Sequence, residues 1–300
     1  MGTERGVRDA GELLARSFEA HRPRLLRVAY TMTGSLAEAE DCVQEAWLRL
    51  RGLDDPAVVR DLAAWLTTTV SRLALDALTS ARARREQYVG TWLPEPLVET
   101  RSSDPADRVT LDESVSMALL VVLERLSPAE RTAFVLHDVF GLPFPEIAEV
   151  VGRSPAAVRQ LASRARRHVE DGRPRTPATE AEQRNLVEAF AAACQNGDLP
   201  GLIAVLDPDV VLRGDGGGKV ITLRHVERVA ARVAPIMLAQ ARRAGPMDIV
   251  PTRVNGAPGL VIRDTEGGVS VMAFTVDAGL ITAIDFVRNP DKLARLPDLG

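Results

Sequence analysis

Two proline-bearing interruptions constrain the fold of this chain more than any other feature. At Trp92-Leu93-Pro94-Glu95-Pro96 and again at Asp171-Gly172-Arg173-Pro174-Arg175-Thr176-Pro177, prolines remove amide donors and disfavour helix at the residue before them. No helix is expected to run through either. Up to about Arg85, and again from Glu113 to Val169, apolar residues recur at three and four, glycines are few and strand signals are absent. Beyond about Ala181 one amphipathic helix (Leu186, Phe190, Ala193) gives way to short β-branched runs between glycine and proline turns. The chain therefore reads as two all-α domains, 10–86 and 113–171, joined by a linker at 87–112. An α+β domain at 181–290 and a tail at 291–300 follow, and 300 residues suit such a division.

Charge and composition narrow the function. The net charge is -4, which argues against a protein that coats nucleic acid over its whole surface, so any basic site must be local. Only two of the 37 basic residues are lysines, Lys219 and Lys292, an arginine bias that either genome composition or anion binding explains. Cys42 and Cys194 lie far apart and the four histidines lack ligand spacing, so neither a disulfide framework nor a metal site is expected, and no cofactor is implied. No run of 18 apolar residues occurs and the first residues have no apolar core, so a cytoplasmic location is expected, without membrane attachment.

Ser35 and Glu38 have capping-box spacing, which starts a helix at Leu36. Leu36, Ala39, Val43, Ala46 or Trp47, and Leu50 form its apolar stripe, and Asp41, Gln44, Glu45 and Leu48 lie opposite. On spacing alone that acidic face is a solvated surface. A following helix runs from about Asp61 through Trp65 and Leu73 and ends in Arg82, Arg84 and Arg85, cations that complement a helix dipole or grip phosphates. The order Glu40-Asp41-Cys42-Val43-Gln44-Glu45-Ala46-Trp47, then Ala64-Trp65-Leu66-Thr67-Thr68-Thr69-Val70 and Asp76, resembles domain 2 of the extracytoplasmic-function sigma factors. The resemblance implies that Asp41, Gln44 and Glu45 bind core RNA polymerase. It also implies that the second helix, with the loop at about 51–60, handles the melted minus-10 element and that Arg82, Arg84 and Arg85 meet the DNA backbone. The loop Leu53-Asp54-Asp55-Pro56 has no aromatic residue to stack a base.

Ser127-Pro128-Ala129-Glu130 is a helix start with a cap, a proline at the first position and a capping-box glutamate. That helix is expected to end near Gly141, a second to run from Phe144 to Val151, and a third, capped by Ser154, to reach about His168, the helix-turn-helix arrangement. In the third, Val158, Leu161, Ala162, Ala165 and Val169 make the buried stripe, leaving Arg159, Gln160, Ser163, Arg164 and Arg167 outward. Arginine reads guanine and glutamine reads adenine, each pair discriminating by about 1–3 kcal/mol. The bland alternative is a solvated basic helix. Leu126 to Phe134 and Glu146-Ile147-Ala148 also look like sigma-factor domain 4, which implies binding to the minus-35 promoter element.

The C-terminal domain resembles the SnoaL-like, NTF2-like cone, with strands expected at Asp248–Val254, Gly259–Arg263, Val269–Val276 and Leu280–Val287 and a helix over Val220–Ala244. Asp215-Gly216-Gly217-Gly218-Lys219 falls short of a P-loop at Arg213 and Val220, which excludes nucleotide binding. With Trp92-Leu93-Pro94-Glu95-Pro96 and Asn289-Pro290-Asp291-Lys292-Leu293 it resembles the sigma factors that carry a SnoaL-like extension, the SigJ type. That resemblance implies a non-enzymatic sigma factor whose fused domain tunes activity through these three motifs. A cone of this kind could also hold a small ligand. The alternatives are a ligand-responsive helix-turn-helix regulator and a SnoaL-like enzyme fused to a DNA-binding module. For the enzyme, Asp209, His225 and Asp285 are the acid–base candidates.

Overall fold

The computed structural model describes residues 2–53, 58–85, 88–99, 115–172, 176, 178–223 and 225–296. In chain order the helices are α1 (Gly2–Thr33), α2 (Leu36–Arg51), α3 (Leu62–Arg85), α4 (Met117–Leu123), α5 (Pro128–Phe134), α6 (Phe144–Val151) and α7 (Pro155–Gly172). Then come α8 (Glu180–Asn196), α9 (Leu199–Val205), α10 (Ala230–Ala244) and α11 (Pro290–Leu293). The strands are β1 (Leu206–Asp215), β2 (Glu227–Arg228), β3 (Met247–Val254), β4 (Ala257–Asp264), β5 (Val269–Asp277) and β6 (Leu280–Val287). The chain divides into two compact units, one of residues 1–82 with 126–168, the other of residues 83–125 with 169–300.

The first unit is helical, and its termini follow from the sequence. Ser35 Oγ accepts from Glu38 N at the head of α2, Asp61 Oδ1 accepts from Ala64 N at the head of α3, and Ser127 with Glu130 closes a full capping box on α5. A single π turn, Val135–Val139, continues α5 towards Gly141. Gly152 takes the left-handed conformation that ends α6. Arg131, 1% exposed, donates from Nη2 to the carbonyl of Thr31 at 3.2 Å, and Arg72 Nη2 donates to that of Glu149 at 3.1 Å. These bonds join helices that precede and follow the linker in sequence. α7 runs four residues past the expected end at His168, to Gly172.

The second unit is a six-stranded sheet in the order β2-β1-β6-β5-β4-β3, with β1 parallel to β6 and every other pair antiparallel. Two of the hairpins turn on left-handed pairs, Asn255-Gly256 and Ala278-Gly279. One face carries Leu212, Leu260, Ile262, Met272, Phe274, Ile284 and Phe286 against Val187, Phe190, Val233 and Met237 of α8 and α10. The other carries Val261, Val271, Ala273 and Val287 against Leu93, Val98, Met117 and Leu293. Alternation along each strand gives the sheet these two buried faces.

One expectation is corrected here, and two features are added to the sequence reading. Residues 220–223 and 225–229 are not helical: β2 pairs there with β1, Val229 holds a left-handed φ of 73°, and the helix begins only at Ala230. β1 was not expected, because Asp207, Pro208 and Asp209 mask its apolar alternation. Over 88–99 the linker lies on the sheet: Leu93, Pro94, Glu95 and Pro96 are buried, and the backbone pairs with β3 through Glu99 N to Arg253 O at 3.0 Å and Asn255 N to Leu97 O at 2.7 Å.

Candidate functional site

On α2 the apolar stripe buries Ala39, Cys42, Val43, Ala46 and Leu50, so Asp41 and Gln44 are exposed on the opposite side. Glu45 is half-buried and pairs with Arg49 at 2.8 Å, a surface ion pair worth about 0–1 kcal/mol that a partner could displace. Burial, then the charges of Glu38, Asp41 and Asp76, push the Cys42 thiol up to about 12, so it is a packing residue. The arginines 82, 84 and 85 close α3, but their side chains lie outside the described residues, as do loop residues 54–57.

On α7 the expected stripe of Val158, Leu161, Ala162, Ala165 and Val169 is wholly buried, and Arg159, Gln160, Arg164 and Arg167 are exposed with Ser163 half-buried. The basic face is partly occupied. Arg164 Nε lies 3.4 Å from Glu130 Oε1, Arg159 stands over the ring of Phe144 at 5.2 Å, and Arg166 bonds Asp138 at 2.6 Å. Against the upward push of burial, the two Ser127 bonds and then the charges of Arg164 and His168 lower the Glu130 carboxyl.

The three motifs of the second unit meet at one buried carboxylate. Asp215, at the end of β1, is fully buried and accepts from Tyr88 Oη at 2.6 Å, Leu93 N at 2.9 Å, Gly217 N at 3.0 Å and Lys292 Nζ at 2.7 Å. The Lys292 ammonium also donates to the Leu93 carbonyl and lies 3.9 Å from the centre of the Trp92 ring, a cation–π contact. Asn289 donates from Nδ2 to Tyr88 Oη at 2.8 Å, and Lys219 pairs with Asp291 at 2.7 Å. The glycines allow this approach. Gly217 has φ +66°, and a Cβ there would lie 2.5 Å from Asn289, while one on Gly216 would lie 2.2 Å from the Val220 carbonyl. Burial, then the bond and charge of Asp215, raise the Tyr88 phenol above its ordinary value. Pro290 starts α11, which presents Lys292, and Pro94, Glu95 and Pro96 are buried beside Leu93. Tyr88 was not singled out from sequence, since a lone aromatic in a polar stretch carries no periodic signal.

The enzyme candidates fare differently. A cavity of about 500 Å³ opens between α8, α10 and the sheet, and none of Asp209, His225 and Asp285 lines it. Asp209 and His225 are exposed, and Asp285 points to the opposite face, where it pairs with Arg213 at 2.8 Å. Burial raises the Asp285 carboxyl and Arg213 opposes that. A general base in this cavity is therefore not found among those three.

With this geometry the comparisons with known proteins agree. The description Sigma-70 region 2 matches residues 17–84 and Sigma-70, region 4 matches residues 116–169, which makes the class that of a sigma factor. The chain is 44% identical over 297 residues to the ECF RNA polymerase sigma factor SigJ of Mycobacterium tuberculosis, covering 93% of each. It is 40% identical over 281 residues to the probable ECF RNA polymerase sigma factor SigI of the same species, 92% of this chain and 93% of the relative. The crystal structure of M. tuberculosis SigJ matches with a TM-score of 0.76 at 39% identity, over 93% of this chain and 98% of that one. The chain belongs to the extracytoplasmic-function RNA polymerase sigma factors, and its α+β cone lies within the region shared with SigJ. No helix among the described residues is long and apolar enough to cross a membrane.

Proposed function

We propose that this sigma factor works in the cytoplasm by binding and not by turnover. Core RNA polymerase is engaged through Asp41, Gln44 and Glu45 of α2. The minus-35 duplex is read by Arg159, Gln160, Ser163, Arg164 and Arg167 of α7, with Arg82, Arg84 and Arg85 on the DNA backbone. The observation that carries the reading is α7 itself: its buried stripe is complete, and its other side is a run of arginines in a chain that is acidic overall. Arg164 and Arg159 must exchange Glu130 and Phe144 for DNA. The fused cone acts through the segment 88–99 held at Asp215. Because that segment continues from α3, a change at Asp215 alters how the sigma helices are presented to polymerase.

The test is promoter-directed transcription with bacterial core polymerase. Asp41→Arg with Glu45→Arg is expected to abolish core binding while the thermal unfolding midpoint stays in place, since both side chains face away from the core. Arg167→Ala is expected to weaken minus-35 binding by about 1–3 kcal/mol. Asp215→Asn is expected to alter transcript yield with core affinity retained. Wild-type core affinity in the double variant would overturn the docking face.

A further inference from the structure

We propose that the cavity of the α+β domain is a binding site for a small apolar carboxylic acid. Its volume of about 500 Å³ lies in the range of small-molecule sites. Phe190, Met237, Met272 and Phe286 supply an apolar wall, and methionines let that wall adapt to a chain or a ring.

The headgroup is argued from the charges at the cavity. Lys219 is already paired with Asp291 at 2.7 Å. Asp264 is spent on its own turn, accepting from Glu266 N at 3.0 Å and Gly268 N at 2.7 Å. Glu266 and Arg243 are exposed at the rim. Arg288 differs from all of these. It lines the cavity, has no carboxylate partner among the described residues, and makes one side-chain hydrogen bond, from Nη1 to the Ile221 carbonyl at 3.0 Å. Its Nε is buried without an acceptor. A buried guanidinium donor left unmatched is unfavourable, and a planar carboxylate is the group whose two oxygens fit its fork. A neutral apolar ligand would fill the wall and leave that donor as it is, and an ammonium would be repelled by Arg288 and offer its Nε no acceptor.

The position also gives the site a route to the rest of the domain. Arg288 N donates to the Asp215 carbonyl at 2.7 Å, and Ile221, which holds the guanidinium, follows directly on the glycine loop. An acid drawn to Arg288 would therefore pull on the same loop that Asp215 ties to segment 88–99.

Calorimetric titration of the full chain, without polymerase or DNA, tests the site independently of the promoter reading. The probes are decanoate and 4-phenylbutyrate, each beside its alcohol. At least one acid is expected to bind, with its alcohol at least tenfold weaker. Arg288→Leu is expected to remove that preference, and Arg288→Lys to retain part of it, which also serves if the leucine variant fails to fold. Met237→Trp, checked for a native circular dichroism spectrum, is expected to weaken acid and alcohol alike. Failure of both acids to bind, equal binding of acid and alcohol, or an acid preference that survives Arg288→Leu would each overturn the assignment.

Discussion

The two faces of the C-terminal sheet are built from the same alternating strands, yet one is hollow and the other sealed. On the hollow face, methionine and phenylalanine surround a cavity of about 500 Å³. On the sealed face, segment 88–99, α4 and α11 lie over the strands, and the charges there are matched in pairs, Asp215 with Lys292 and Arg213 with Asp285. The difference teaches where each kind of interaction belongs. Buried charge tolerates little rearrangement, because a displaced partner leaves an unpaired ion, whereas an apolar wall can shift at small cost. The sealed face is thus suited to hold a fixed geometry and the hollow one to accept a variable occupant.

Breaking the sealed face at its centre should have the largest effect. Asp215→Ala strands the Lys292 ammonium and three other donors, and a loss of about 3–5 kcal/mol in urea unfolding is expected. A loss below 1 kcal/mol, of the order of a surface ion pair, would mean that water enters freely and that the face is not sealed. Next comes Leu93→Ala, which leaves a void under a residue 1% exposed and should cost about 3 kcal/mol by the same measurement.

Tyr88→Phe removes one of the four donors to Asp215 and should cost about 1–2 kcal/mol at neutral pH. Its pH dependence sharpens the comparison. The folded phenol is raised above the ordinary value of about 10, so its contribution is complete below that value and is lost as pH rises through the folded one. Stability followed from pH 9 to pH 11.5 should therefore fall less steeply in the phenylalanine variant, and identical slopes would contradict a buried, bonded Tyr88. On the hollow face, Met272→Leu conserves volume and should change stability by less than about 1.5 kcal/mol, the smallest effect of the four.

Much of this was legible in the sequence where periodicity and local caps speak together. Ser35 and Ser127 marked their helices, the α7 stripe from Val158 to Val169 is buried as expected, and β6 spans Leu280–Val287 as read. What failed depended on partners far away in the chain. Asp207, Pro208 and Asp209 interrupt the apolar alternation of β1, and the stretch before α10 is held by β1 at Glu227 and Arg228 and by the Arg288 guanidinium at Ile221. Proline marked 94 and 96 correctly as non-helical, but non-helical chain can still be buried, as Leu93 and Glu95 are. The three motifs were visible one by one, and their meeting at Asp215 was not, because nothing local ties residue 93 to residue 292. Nothing local sets Arg131 and Arg288 apart from the other arginines of the chain.

The parallel pairing of β1 with β6 has a consequence for how the chain is made. β6 lies between β1 and β5, so the sheet has no middle until the last strand has been synthesised. Lys292 follows Leu93, whose carbonyl it holds, by 199 residues. During translation the segment that covers the sheet therefore waits, uncovered itself, through almost two-thirds of synthesis. A ribosome that stops short of β6 leaves segment 88–99 without the Lys292 ammonium and the Val287 and Leu293 side chains that pack on it.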